Sequence, residues 1–250
     1  MTDRNAFDTK TPPFETDELR SSLGKFMRSD FVDPVTGLTN RIGSFTWGVY
    51  AFFDYDGEPI YVGQTKESVS GRVGRHLTGQ RTDAVAKSVL DPLEVKDIQI
   101  WPLPQFKGIT AKKKPLEHKI AAQHLNALEY LIHQKLIAES RFNAILNEKD
   151  PPAPTIVVTE PASFKGRIVS DAVIEIRAHP DFRISRRAMV ISRLSQGIAE
   201  RKIDGGEGGL RRVLLTQAKR LQWLADQRYS ALGGDKTVPV GPEESSDVEE

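Results

Sequence analysis

The chain has 250 residues, 38% of them hydrophobic and 28% charged, with a formal net charge of +1; this is ordinary globular composition, with room for one domain and a substantial appendage. It contains no cysteine, which excludes disulfides, thiolate zinc sites and cysteine nucleophiles. No apolar run approaches the ~20 residues of a membrane span, and the start MTDRNAFDTK lacks an apolar signal core, so the expectation is a cytoplasmic protein with no membrane partner.

The charge is unevenly spread. Residues 1–45 carry six basic against seven acidic side chains, 46–150 fourteen against thirteen, 151–232 fourteen against eight, and 233–250 one against six. Four regions are expected: an N-terminal extension (1–45), a domain (46–150), a basic helical region (151–232) and a disordered acidic tail (233–250).

In the extension, Thr16 or Asp17 can cap a short helix carrying Leu19, Leu23 and Phe26-Met27, which reads as a docking helix. Asp33-Pro34-Val35-Thr36-Gly37 is turn chemistry, and a linker is expected to run to Ser44. Gly48 to Gly63 then reads as one β-hairpin: Val49, Ala51 and Phe53 alternate with Tyr50, Phe52 and Asp54, Asp56-Gly57 supplies the turn, and Ile60-Tyr61-Val62 returns. Whether Tyr50 and Tyr61 share a face depends on the turn register.

Val69, Val73 and Leu77 make a helical stripe with Arg72 and His76 on one flank and Arg75 nearly opposite, toward solvent. A second helix is expected from Thr82-Asp83, then a third strand within Lys96–Leu103. The loop PQFKGITAKKKP follows, whose Lys112, Lys113 and Lys114 are candidates for phosphate contact; a solvated insertion is the alternative. From Glu117 to Glu139, Ala121, Leu125, Leu128, Ile132 and Leu136 form one stripe, and Glu129 falls inside it. A carboxylate there costs several kcal/mol unless it meets a metal, an arginine or water, so an internal Glu129–Arg72 ion pair is one reading and a metal site another. The fold class expected is α+β: a small three-stranded antiparallel sheet flanked by helices, followed by a helical C-terminal extension.

Residues 151–162 are proline-punctuated and read as an extended connector. Two helices are expected at 185–202 and 210–232, joined by a glycine-rich loop at 204–209, with Met189, Leu194 and Ile198 facing Leu214, Leu221 and Leu224. Their surface is expected to carry Arg183, Arg186, Arg187, Arg193, Arg211, Arg212, Lys219 and Arg220, a footprint suited to DNA. The four remaining histidines, His118, His124, His133 and His179, form no zinc motif and read as structural or surface, with His133 on the edge of the polar face of its helix.

The tripeptides Gly48-Val49-Tyr50 and Tyr61-Val62-Gly63, with Arg72, His76, Glu129 and Asn143 in order downstream, resemble the GIY-YIG nuclease superfamily over about residues 47–147. The resemblance implies a DNA endonuclease dependent on Mg²⁺ or Mn²⁺. By it, Tyr50 is the candidate general base, Tyr61 orients it or the water, His76 holds or deprotonates that pair, and Arg72 neutralises the phosphate. Glu129 is the metal ligand and Asn143 completes the hydrogen bonding. One residue more than the commonest family spacing separates Tyr61 from Arg72. A catalytically inactive nucleic-acid-binding module on the same fold, or a protein-interaction role centred on the C-terminal helices, are the other readings.

Overall fold

Residues 14–77, 89–200 and 208–234 are described by the structure, a computed structural model. The helix expected from Thr82-Asp83, most of the glycine-rich loop and most of the acidic tail lie outside the described residues.

Alternating side chains on either side of Asp56-Gly57 fold as a hairpin, β3 (Gly48–Phe53) and β4 (Pro59–Thr65), with Gly57 at φ 75° in the turn, where a side chain would be strained. Asp54 closes that turn: its Oδ1 accepts from the Asp56 and Glu58 N–H groups at 2.9 and 3.1 Å. β3 pairs on its other side with β5 (Asp97–Pro102), and β5 with β6 (Phe164–Arg167). All pairs are antiparallel, in the order β4-β3-β5-β6. The sheet therefore has four strands where three were expected, and the fourth comes from beyond residue 150. β6 reads Phe-Lys-Gly-Arg, with a single apolar side chain to announce it. What seats it is packing: a Cβ at Gly166 would stand 2.9 Å from the Phe26 ring.

The strand alternation gives the sheet two cores. Val49, Ala51, Phe53, Val62 and Trp101 face the long helix α3 (Pro115–Glu139), through Ala121, Leu125, Leu128, Ile132 and Leu136. Tyr50, Phe52, Ile60, Ile98 and Ile100 face the other way. That side is covered by α1 (Phe14–Met27), through Leu19, Leu23, Phe26 and Met27, and by α2 (Val69–Leu77), through Val69, Val73 and Leu77. Between α1 and β3 the expected linker is instead a small hairpin, β1 (Asp30–Val32) with β2 (Thr39–Arg41). Asp33 shapes its turn by accepting from Val35 N at 3.0 Å and Thr36 Oγ1 at 2.7 Å.

After the connector come α4 (Asp171–Arg177), α5 (Pro180–Glu200) and α6 (Gly209–Ala231). Helix α5 starts five residues before the expected Ser185, since Pro180 is acceptable in a first turn, where its missing N–H is not needed. Leu194, Leu210 and Val213 join the Tyr50-side core, while Met189, expected to face the partner helix, is exposed.

Three of the arginines of α5 and α6 correct the expectation that all of them lie on the surface. Asp54 Oδ2 lies 2.9 Å from Arg187 Nη2, 2.5 Å from Arg220 Nη2 and 3.5 Å from Arg183 Nη2. Arg183 also holds Asp56, Arg187 holds Glu94 at 3.1 Å, and Arg186 holds Asp91 at 2.5 Å. Arg183, Arg187 and Arg220 are buried. Four guanidinium groups thus meet four carboxylates inside the molecule, because ions removed from water persist only when paired. Much of the basic excess of 151–232 is an internal clamp, and that region is not a separable unit. No described helix is long and apolar enough to cross a membrane.

Candidate active site

The register Tyr50↔Gly63 and Phe52↔Tyr61 turns Tyr50 and Tyr61 to the same face, as diagonal neighbours with ring centroids 6.3 Å apart. Both motif glycines have a steric cause. A Cβ at Gly63 would lie 2.6 Å from the Tyr50 hydroxyl and 3.0 Å from the Tyr61 ring, and one at Gly48 2.9 Å from the Trp101 carbonyl. The Tyr50 phenol occupies the space that a side chain at 63 would need.

Helix α2 brings His76 against both phenols. Its Nε2 is 3.2 Å from the Tyr50 hydroxyl, and its ring centroid is 5.3 Å from that of Tyr61. Tyr50 and His76 are buried, whereas Tyr61 is half-buried. Burial pushes the Tyr50 pKa far above the ordinary tyrosine value, Tyr61 adds to the rise, and the neighbouring Arg72 guanidinium pulls it back. Arg72 is half-buried with its Nε enclosed and without a hydrogen bond. Arg75 points elsewhere and pairs at the surface with Glu67, at 2.9 Å.

Glu129 arrives from α3 on the opposite face of the sheet, and the cluster straddles β4, an edge strand of the sheet. Its Oε2 accepts from Gln64 Nε2 at 2.9 Å. Burial pushes its pKa up to about 7, against the pull of the Gln64 hydrogen bond and of the Arg72 and Lys66 charges. Tyr50 thereby feels the charges of Tyr61, Arg72 and Glu129, and Glu129 that of Arg72.

Asn143 is not drawn in. It stands exposed on the turn after α3 at φ 49°, its N–H donating to the Ser140 carbonyl. The asparagine that reaches the motif strand is Asn147, four residues on and buried. Its Oδ1 accepts from Val62 N at 3.0 Å and its Nδ2 donates to Val62 O at 2.8 Å, so one amide imitates a neighbouring strand on the β4 edge. The signal available in the sequence is a polar residue directly after the apolar pair Ile145-Leu146. Gln64 was also missed, although it follows the second tripeptide directly.

No family model, curated protein or solved structure matches this chain. Its chemistry has to be read from its own residues.

Among the described residues no group of three or more His, Asp or Glu side chains gathers as a metal cluster. A lone half-buried carboxyl raised by burial still fits a hard divalent cation, because Mg²⁺ commonly keeps most of its waters and takes one or two carboxylates. His133, expected at the edge of the polar face, is fully buried, with Nε2 3.3 Å from Asp150 Oδ1; burial lowers its pKa. Of the expected DNA contacts, Arg187 is enclosed, Arg186 is held by Asp91, and Arg212 holds Asp150 at 2.5 Å and the Asn147 carbonyl at 3.1 Å. Arg193 and Arg211 are exposed, as are Lys112, Lys113 and Lys114, the last pairing with Glu117 at 2.8 Å.

Proposed function

We propose that this protein is a divalent-cation-dependent endonuclease that hydrolyses DNA phosphodiester bonds in the manner of the GIY-YIG enzymes it resembles. One observation carries the reading: two phenols and an imidazole pack together with a guanidinium beside them on one face of β4, around a glycine that has no room for a side chain, and a raised carboxyl stands on the other face of the same edge strand. A purely structural core has no use for that set, since each member is costly to bury.

In this reading the roles of the tyrosines change hands. Tyr50, buried against His76 and pushed up in pKa, is poorly placed to take a proton from solvent water. Tyr61 is the half-exposed phenol: it passes its own proton to the neighbouring His76 imidazole as its oxygen takes the proton of the attacking water, while the new P–O bond forms and the bond from phosphorus to the leaving oxygen breaks, that oxygen taking a proton from solvent. Tyr50 and His76 hold the Tyr61 ring in place and accept charge from it. Arg72 neutralises the charge that develops on the phosphate oxygens, where fixed positive charge is worth most. Glu129 would hold the Mg²⁺ or Mn²⁺, whose chemistry is Lewis-acid stabilisation of the oxygen that leaves phosphorus. The lysines of the 107–114 loop and the exposed Arg193 and Arg211 supply backbone contact, which is independent of base sequence.

Purified full-length protein on supercoiled plasmid, with Mg²⁺ against EDTA, is the test. Nicked or linear product that needs Mg²⁺ and is abolished in Glu129→Ala is expected. The burial of Tyr50 favours the alternative, a nucleic-acid-binding module without catalysis. DNA binding with no Mg²⁺-dependent product at any protein concentration would establish that alternative.

A further inference from the structure

The alternation that turns Tyr61 and Gly63 toward Tyr50 turns Gln64 to the opposite face of the sheet, toward α3. There the amide nitrogen spends both hydrogens, one on Asn126 Oδ1 at 3.0 Å and one on Glu129 Oε2 at 2.9 Å. Asn126 and Glu129 are three residues apart, hence neighbours on one face of a helix, and Gln64 clips that face to β4. With Glu129 ionised, as a cation ligand must be, the orientation of the amide is set, because turning it over would place its carbonyl oxygen against the carboxylate. That leaves Gln64 Oε1 buried without a hydrogen-bond partner, an arrangement that is costly unless something fills it. A buried acceptor beside a carboxylate that itself lacks an ion-pair partner among the described residues is a place prepared for a hydrated cation.

We propose that Gln64 is a positioning residue for the cation site: it occupies one oxygen of Glu129, reserves the other for the divalent cation, and offers its own Oε1 to a water of the cation's hydration shell. Asn126 acts through Gln64 by holding the amide in that orientation. This rests on the reading of Glu129 as the cation ligand and adds to it the group that aims the ligand. Neither residue touches the phosphate in this scheme, so neither contributes to DNA affinity.

The test is a calorimetric Mn²⁺ titration of the full-length parent, Gln64→Ala, Asn126→Ala and the double variant, with plasmid cleavage measured in parallel at saturating Mn²⁺. Gln64→Ala is expected to weaken Mn²⁺ binding by about 10- to 100-fold, the usual effect of removing a partner behind a metal ligand. It should lower kcat while leaving KM for DNA unchanged, a split that general loosening of the fold would not give. Asn126→Ala should weaken Mn²⁺ binding less, and its effect should vanish in the Gln64→Ala background. Where Gln64→Ala fails to fold, Asn126→Ala alone carries the measurement. Parental Mn²⁺ affinity in Gln64→Ala, or in Asn126→Ala if that is the only folded variant, overturns the inference, as do additive losses in the double variant. A parent that cuts plasmid while Gln64→Ala binds Mn²⁺ normally removes this inference and keeps the nuclease. A parent that binds Mn²⁺ through Glu129 and Gln64 without cutting supports the inference and removes the nuclease.

Discussion

Glu129 makes the folded state sensitive to pH in a direction opposite to that of a salt-bridged carboxylate. Its pKa is about 7 in the fold against 4.5 in an unperturbed glutamate, so the folded chain keeps a proton that the unfolded chain loses between those values. Stability is then full below about pH 4.5 and declines as pH rises to about 7, by at most about 3 kcal/mol. In EDTA, urea midpoints should fall across that window for the parent and stay flatter for Glu129→Gln; an equally steep fall in the variant would place the dependence on other groups. Arg72 and Arg75 divide by location in the same way. Arg72→Lys loses the planar fork of donors beside Tyr50 and should cost two or more decades in single-turnover cleavage, about 3 kcal/mol. Arg75→Ala removes only a surface pair with Glu67 and should cut at nearly the parental rate; a dead Arg75→Ala would exchange the two roles.

At the scale of elements, the buried clamp between the β3–β4 turn and helices α5 and α6 carries the prediction. Asp54→Ala strips the turn of its cap and leaves Arg183, Arg187 and Arg220 short of charge, at a cost of about 3–5 kcal/mol, to be read by urea denaturation. Asp54→Asn keeps an oxygen for the turn but not the charge, and should recover only the smaller part. If it recovers nearly everything, the arginines contribute little. The hairpin, α1, α2 and α3 were all legible in the sequence, because period 2 and period 3.6 were carried by large apolar residues such as Val49, Phe53, Leu125 and Ile132. Strand β6 was not legible, since Phe-Lys-Gly-Arg takes its conformation from β5 and Phe26. Nor was the burial of Arg183, Arg187 and Arg220: a guanidinium at helical spacing reads as solvated until its carboxylate is found, and Asp54 is more than a hundred residues away. Asn143 and Asn147 show the same limit within the site, where a matching segment marks the neighbourhood and only the hydrogen bonds to Val62 choose the residue.

For the whole molecule, β6 and the clamp mean that the expected boundary near residue 150 is not a place to cut. A chain of residues 46–163 lacks α1, the fourth strand and the partners of Asp54, Asp91 and Glu94; it should fail to give a cooperative unfolding transition, whereas a freely folding nuclease domain would show one. DNA affinity should instead follow the loop beside α3. Replacing Lys112 and Lys113 by alanine should reduce the slope of log K against log salt by about 2 while leaving the unfolding midpoint in place, and an unchanged slope would move the contact to Arg193 and Arg211. The clamp also has a consequence for synthesis. Asp54 waits for arginines 129, 133 and 166 positions further along, so the turn that braces the tyrosine strands is completed only after Arg220 has left the ribosome. A chain that stops between Glu129 and Arg183 carries the tyrosines, Arg72, His76 and Glu129 but none of the arginines that brace their turn, so the side chains of the site are all made before the support that holds their strands.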